Sequence, residues 1–155
     1  MTVEILKIKD LRKIYGVGET QVNALNGIDL TVKRGEFVAI VGSSGSGKTT
    51  FLNMVGGLDV PTSGEIIVDQ KKIQELSDDE LTVFRRRKIG FIFQNYQLIP
   101  TYNVMQNIIM PLLMRGMKHE EAERRCIDTV ELLGLEHRIK HRPNELSGGQ
   151  KQRVS

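Results

Sequence analysis

Tryptophan is absent from this 155-residue sequence, cysteine occurs once, and aromatic residues make up only 5%. The single thiol, Cys126, excludes a disulfide framework within the chain and points to a reducing compartment. Its place in a helical pattern makes it a small packing residue. No apolar stretch approaches the roughly 20 residues that a membrane-spanning helix requires. The unbroken apolar run Phe37 to Val41 is only strand-sized. Met1 to Lys7 contain no basic segment followed by an apolar run, so no signal peptide is expected. The charge excess is also small: 22 basic against 19 acidic residues, net +3, too little to argue for a nucleic-acid partner. Internal repeats and low-complexity linkers are lacking.

What remains is an ordinary globular composition, 39% hydrophobic and 26% charged, on a chain long enough for one cored domain. The first third alternates like strands: Val3, Ile5, Ile8 and Leu11, then Val22, Leu25, Ile28, Leu30 and Val32. Turns are expected at Gly16–Glu19 and Lys33–Glu36, giving a small, mostly antiparallel sheet. Phe37 to Val41 is rich in β-branched residues and suits a strand buried on both faces. Further strands are expected at Glu65–Asp69 and Ile89–Phe93. Helices are expected at Lys48–Gly56 and at Asp78–Arg87, the latter opened by a Ser77–Glu80 capping box. From Asn103 the pattern turns helical, with Val104, Ile108, Ile109, Leu112 and Leu113 on one face and Pro111 expected to bend or break it. A second helix, His119–Leu133, places Ala122, Cys126, Ile127, Val130 and Leu133 inward and stops at Gly134.

Gly42-Ser43-Ser44-Gly45-Ser46-Gly47-Lys48-Thr49 matches G-x-x-x-x-G-K-[ST], the phosphate-loop pattern, with a strand before it and a helix after it. The glycines let the backbone curl so that successive N–H groups point into one concavity. The helix beginning near Lys48 brings its positive end to the same point, and Thr50 continues its first turn. Lys48 supplies a point charge for outer phosphates and Thr49 a hydroxyl for Mg²⁺. The pattern alone leaves kinases, GTPases and many ATPases open.

Leu146-Ser147-Gly148-Gly149-Gln150 precedes Lys151-Gln152-Arg153-Val154, which reads as a helix start. A serine hydroxyl, two glycine amides and a helix N-terminus make a second anion site. A lone Ser-Gly-Gly would be no more than a turn capping a helix. Together with the phosphate loop in one short chain, the run resembles the signature of ABC transporter nucleotide-binding domains. Gly57-Leu58-Asp59-Val60-Pro61-Thr62-Ser63-Gly64 resembles that family's linker to its next strand. Leu25–Leu30, Gly56–Asp59 and Phe84–Gln94 are most similar to the macrolide-export, lipoprotein-release and antimicrobial-peptide-export subgroup.

The resemblance implies an α/β P-loop fold of the ABC type, with an N-terminal, mostly antiparallel β subdomain, a partial parallel core sheet and a helical subdomain. It implies β subdomain and phosphate-loop core over residues 1–96 and the helical subdomain over 97–155. It implies ATP and Mg²⁺ as cofactors. Tyr15 falls where the family sets an aromatic ring against adenine, and Gln94 where it sets a glutamine touching Mg²⁺ and the attacking water. Two domains would close face to face, with Ser147, Gly148, Gly149 and Gln150 of one on the ATP held by the other. Membrane permease subunits are the second implied partner, which would hold the protein peripherally on the inner face of the cell membrane.

In the family pattern a metal-binding aspartate, an adjacent catalytic glutamate and a histidine all follow the signature, and this sequence ends at Ser155. The expectation is therefore a partial domain that hydrolyses ATP poorly. His119, His137 and His141 precede Leu146 and are expected at the surface. Asp69 is expected in a turn. Arg85-Arg86-Arg87-Lys88 is expected at a solvated helix end. Met105, Met110, Met114 and Met117 suit either core packing or a permease-facing groove. The alternatives are a non-transport ABC ATPase working in translation or on DNA, and a remnant that binds nucleotide without turnover. The absence of heptads between Thr49 and Ser147 argues against the DNA-repair relatives.

Overall fold

The protein is described from a computed structural model covering residues 3–155. The chain forms two compact units, Met1–Gly90 and Phe91–Ser155. The division falls at Gly90, where the sequence reading begins the helical part at Gln97.

In the first unit, β1 (Glu4–Tyr15) and β2 (Val22–Lys33) form an antiparallel pair. β3 (Ser63–Val68) pairs antiparallel with the other edge of β1, and the short β4 (Lys71–Lys72) follows, giving the order β2-β1-β3-β4. The β1 ladder is irregular between Ile8 and Leu11, where Asp10 adopts φ 43°. Gly64 lies directly against this kink: a Cβ at Gly64 would stand 2.3 Å from the Asp10 carbonyl oxygen, so only glycine lets β3 approach. Ile8, Leu11, Leu25 and Ile66 point from the sheet onto helix α1 (Lys48–Val55), which contributes Phe51 and Met54. Helix α2 (Asp78–Lys88) adds Phe84. Each such buried side chain contributes about 1.5–3 kcal/mol. The Ser77–Glu80 capping box is present, and the basic last turn is engaged: Arg85 donates to the Gly57 carbonyl and Lys88 pairs with Asp69. Asp69, at φ 47°, is a turn residue at the end of β3.

The second unit packs helices α3 (Val104–Leu113), α4 (His119–Leu132) and α5 (Gly148–Val154) around Val104, Ile109, Ala122, Val130, Leu135 and Leu146. Cys126 packs against this core, and burial pushes its thiol pKa up. His119 and His137 are exposed and His141 is half-buried.

Four expectations are corrected. Phe37–Val41 is not a strand buried on both faces: it has no ladder partner among the described residues, and Phe37 is 94% and Val41 88% exposed. Ile89–Phe93 likewise forms no strand, although the rings of Phe91 and Phe93 still stack at 5.3 Å, as i, i+2 residues on an extended segment do. A parallel strand exists only through a neighbour's hydrogen bonds, and the only sheet among the described residues is antiparallel. Pro111 does not break α3, which runs on to Leu113. It sits in the last turn, where the missing N–H costs one bond and Ile109, Leu112 and Leu113 hold the helix onto the core. Ile127, placed inward by periodicity, is at the surface of α4.

Candidate functional site

The phosphate loop depends on side chains it does not have. Gly47 is the N-cap of α1 at φ 87°, and a Cβ there would stand 2.4 Å from the Ala24 carbonyl oxygen on β2. A Cβ at Gly42 would lie 2.6 Å from Ser46 Oγ. Gly45, at φ 78°, faces open space, so its glycine answers to backbone conformation alone. Because a glycine caps α1, no side-chain oxygen satisfies its first amides, whereas α2, α3 and α5 all open with capping boxes. The first intrahelical bond runs from the Phe51 N–H to the Gly47 carbonyl, 2.8 Å. The amides of Lys48, Thr49 and Thr50 precede it and have no intrahelical acceptor, so they carry the positive end of the helix.

Lys48 Nζ donates to the carbonyl oxygens of Gly42 (2.9 Å) and Ser43 (2.6 Å) and lies 3.4 Å from Ser46 Oγ. Its charge therefore sits inside the loop. Ser43, Ser44, Ser46 and Thr49 are exposed and Thr50 is half-buried. A cleft of ≈ 400 Å³ adjoins the loop, lined among others by Gly42, Gly47, Lys48, Leu25, Ile28 and Phe51.

Tyr15 stands in the same unit at the end of β1, 41% exposed. Its hydroxyl donates to Asp59 Oδ2 at 2.7 Å, and Lys13 Nζ lies 4.8 Å from its ring centroid. The Asp59 bond raises the phenol pKa, burial adds to that, and a hydrogen bond with Thr50 opposes it. Lys13 and Asp59 form a half-buried ion pair at 2.7 Å. Desolvation works against the Asp59 carboxylate, but hydrogen bonds from Lys13, Tyr15 and the Val60 N–H prevail and hold its pKa below the usual range.

In the second unit, Ser147 caps α5. Its Oγ accepts from the Gln150 N–H (3.3 Å), and Gln150 Oε1 accepts from the Ser147 N–H (2.9 Å). The box leaves Ser147 its own O–H to donate. Gly148 and Gly149, both exposed, lie in the first turn, where amides have no intrahelical acceptor.

Comparison with known proteins identifies the family. The family model for ABC transporters matches residues 25–155. The chain belongs to the ABC transporter family. It is 46% identical over 155 residues to MJ0796, an ABC transporter ATP-binding protein of Methanocaldococcus jannaschii, covering 97% of this chain and 66% of that protein. A structure of MJ0796, dimeric and bound to ADP and Pi in a post-hydrolysis state, superposes with a TM-score of 0.89 over 96% of this chain and 66% of that one. The lipoprotein-releasing system ATP-binding protein LolD of Geobacter metallireducens is 45% identical over 151 residues, covering 97% of this chain and 67% of LolD. The macrolide export ATP-binding/permease protein MacB of Hyphomonas neptunium is 43% identical across the whole chain, which corresponds to 24% of MacB. The chain thus spans about two thirds of MJ0796 and LolD. The subgroup resemblance read from Leu25–Leu30, Gly56–Asp59 and Phe84–Gln94 agrees with these relatives.

In this ABC family member, Tyr15 and Gly42–Thr50 lie in the first unit, and Gln94 and Ser147–Gln150 in the second. Gln94 is exposed in a turn after Phe93. Two sets of neighbours were not foreseen from the sequence. One is the Lys13–Asp59 pair beside Tyr15. The other is Tyr96, whose hydroxyl would lie 3.2 Å from a Cβ placed at Gly148. Tyr96 and Gln97 are consecutive non-glycine residues at positive φ, 59° and 52°, a conformation that no local composition signals. No helix among the described residues is long and apolar enough to cross a membrane.

Proposed function

We propose that this chain is the nucleotide-binding part of a transporter ATPase that couples ATP binding and hydrolysis to a membrane permease, in export or in extraction from the membrane. The observation that carries the reading is the uncapped start of α1, with three unpartnered amides and the Lys48 ammonium gathered at one glycine-lined turn. That set fits a triphosphate: a tight turn that side chains at Gly42 and Gly47 would disrupt, amide donors, and a positive charge. Ser43, Ser44, Gly45 and Ser46 form the rim, and Thr50 continues the turn. Mg²⁺ is a hard cation that takes oxygen ligands, so the Thr49 hydroxyl and the Gln94 side-chain carbonyl suit it, and the bound ion would neutralise charge on the outer phosphates. Tyr15 offers an aromatic face to the base.

A second copy closes the assembly in this reading. Ser147 and Gly149, with Gly148 and Gln150, contact the γ-phosphate held by the partner, so ATP favours closure more than ADP does. Through the permease the protein sits peripherally on the inner face of the cell membrane. The relatives named for lipoprotein release and macrolide export support transport over a role in translation or on DNA.

We also propose that the 155 residues alone turn ATP over slowly. In the family pattern the metal-binding aspartate and the catalytic glutamate come after the signature. The apolar runs Phe37–Val41 and Ile89–Phe93 have strand sequences but no ladder partners among the described residues. Titration with ATP, followed by steady-state turnover, tests both statements. Binding that Lys48→Ala removes supports the site; brisk turnover by the 155-residue chain, lost in Lys48→Ala, refutes the second proposal.

A further inference from the structure

The end of β1 is tied to the segment that follows α1 by five hydrogen bonds. Lys13 Nζ donates to Asp59 Oδ1 and to the Val60 carbonyl, both at 2.7 Å. The Ile14 N–H donates to Thr62 Oγ1, and the Thr62 N–H to the Arg12 carbonyl, each at 2.9 Å. Tyr15 completes the set through Asp59 Oδ2. Asp59 is in turn four residues beyond Val55, the last residue of the phosphate-loop helix, and the Leu58 N–H is held by the Asn53 carbonyl at 2.8 Å. A continuous chain of bonds thus runs from α1 to the Tyr15 ring. Lys13 covers one face of that ring, and its side chain is only 12% exposed.

We infer that Lys13 and Asp59 are positioning residues for the nucleobase: they hold the Tyr15 ring at a set distance and tilt from the phosphate loop, with Lys13 on one face and the other face left for the base of a nucleoside triphosphate. The inference rests on the reading of Tyr15 as the base platform. A phenol free to rotate about χ1 would have to be ordered on every binding event, whereas a ring already anchored at its hydroxyl and against a cation stacks without that cost. The cation also withdraws the electron density that opposes stacking with an electron-rich purine. The anchoring pair touches neither phosphate nor metal in this scheme, so its contribution appears only for ligands that carry a base.

The experiment compares ATP with inorganic tripolyphosphate by calorimetric titration of the 155-residue protein and its Tyr15→Ala, Asp59→Asn, Lys13→Met and Asp59→Asn/Tyr15→Ala variants. Tyr15→Ala is expected to weaken ATP about tenfold, and Asp59→Asn and Lys13→Met about threefold to tenfold, with tripolyphosphate affinity unchanged throughout. In the Tyr15→Ala background, Asp59→Asn is expected to add nothing, because its effect travels through the ring. Retained tripolyphosphate binding also reports that each variant keeps its folded loop. If Asp59→Asn and Lys13→Met leave ATP affinity intact while Tyr15→Ala lowers it, the positioning role is overturned and the platform stands. If Asp59→Asn weakens both ligands equally, or still weakens ATP without Tyr15, its role is structural and the inference fails. If Tyr15→Ala itself leaves ATP affinity unchanged, the platform reading falls and takes the inference with it.

Discussion

Gly47 approaches Ala24 so closely that a Cβ built on it would stand 2.4 Å from the Ala24 carbonyl oxygen, well inside van der Waals contact. β2 and the phosphate loop can be neighbours only because residue 47 has no side chain. Gly47→Ala therefore carries two penalties, a left-handed backbone at φ 87° and a clash with main chain that cannot swing away. Gly45→Ala carries only the first, since nothing lies within 4 Å of its Cβ position. We expect Gly45→Ala to cost about 1–2 kcal/mol and Gly47→Ala distinctly more, with urea midpoints as the measure. Equal midpoints for the two variants would show that the loop relaxes away from β2 without cost.

Lys48 supplies the second prediction. Its ammonium is held by the Gly42 and Ser43 carbonyls, a pair of bonds that keeps the charge inside the loop. Replacing it with methionine keeps the stem and removes the charge. A charge-assisted bond to phosphate is worth about 1.5–3 kcal/mol, so Lys48→Met is expected to weaken ATP and tripolyphosphate alike by about ten- to a hundredfold. Thermal stability should move little, because the lost partners are carbonyls on an exposed turn. An unchanged affinity for both ligands would remove Lys48 from the site.

Some of this was legible in the sequence, for reasons specific to each element. The Ser77–Glu80 box is a local device, complete within one turn, and it stands as read. Gly134 takes φ 63° just beyond α4, as a helix stop requires. The pattern from Val3 to Val32 is a hairpin, and hairpins carry their pairing in adjacent sequence. Phe37–Val41 and Ile89–Phe93 failed for the opposite reason. A buried parallel strand is defined by partners remote in sequence, and an apolar run cannot announce whether they are present. The Lys13–Asp59–Tyr15 cluster was invisible for the same reason: Asp59 lies more than forty residues from Lys13 and Tyr15, and each alone resembles a surface residue. Pro111 does not break α3 because the rule against helix proline concerns helix interiors, and α3 ends two residues later.

The acid limb of stability follows from the depressed carboxylates. The Asp59 pKa is lowered by its hydrogen bonds from Lys13, Tyr15 and Val60 against desolvation, and the Asp69 pKa by its bond to Lys88 first, then by that lysine's charge. A carboxylate whose folded pKa lies below its unfolded value of about 3.9 stabilises the fold above that pH, and the contribution disappears as pH falls through the folded pKa. The urea midpoint is thus expected to fall steeply below about pH 4. Asp59→Asn should lower the neutral-pH midpoint and flatten that limb. Tyr15 works at the other end: its phenol pKa is raised, so its contribution is complete below the ordinary tyrosine value and is lost as pH rises through the folded one. In Asp59→Asn the alkaline loss should begin at lower pH, as absorbance titration of the phenolate would record.

Ser147 performs two tasks that one substitution can separate. Its Oγ accepts from the Gln150 N–H and so closes the start of α5, while its O–H remains to be donated. Ser147→Ala removes both and is expected to cost about 1 kcal/mol of stability through the lost cap alone. Ser147→Asp keeps the cap, since aspartate is an equally good N-cap and suits the positive helix end. It offers no donor, however, and brings a negative charge to a place proposed to meet a partner's γ-phosphate. The Ser147→Asp protein should therefore melt within a degree or two of the parent and bind ATP at its own phosphate loop with unchanged affinity. Association of two copies in the presence of ATP, followed by analytical ultracentrifugation, should be lost. If ATP drives the parent to a dimer and Ser147→Asp dimerises equally well, the run Ser147-Gly148-Gly149-Gln150 is only a helix cap. The second anion site would then have to be sought elsewhere on the chain.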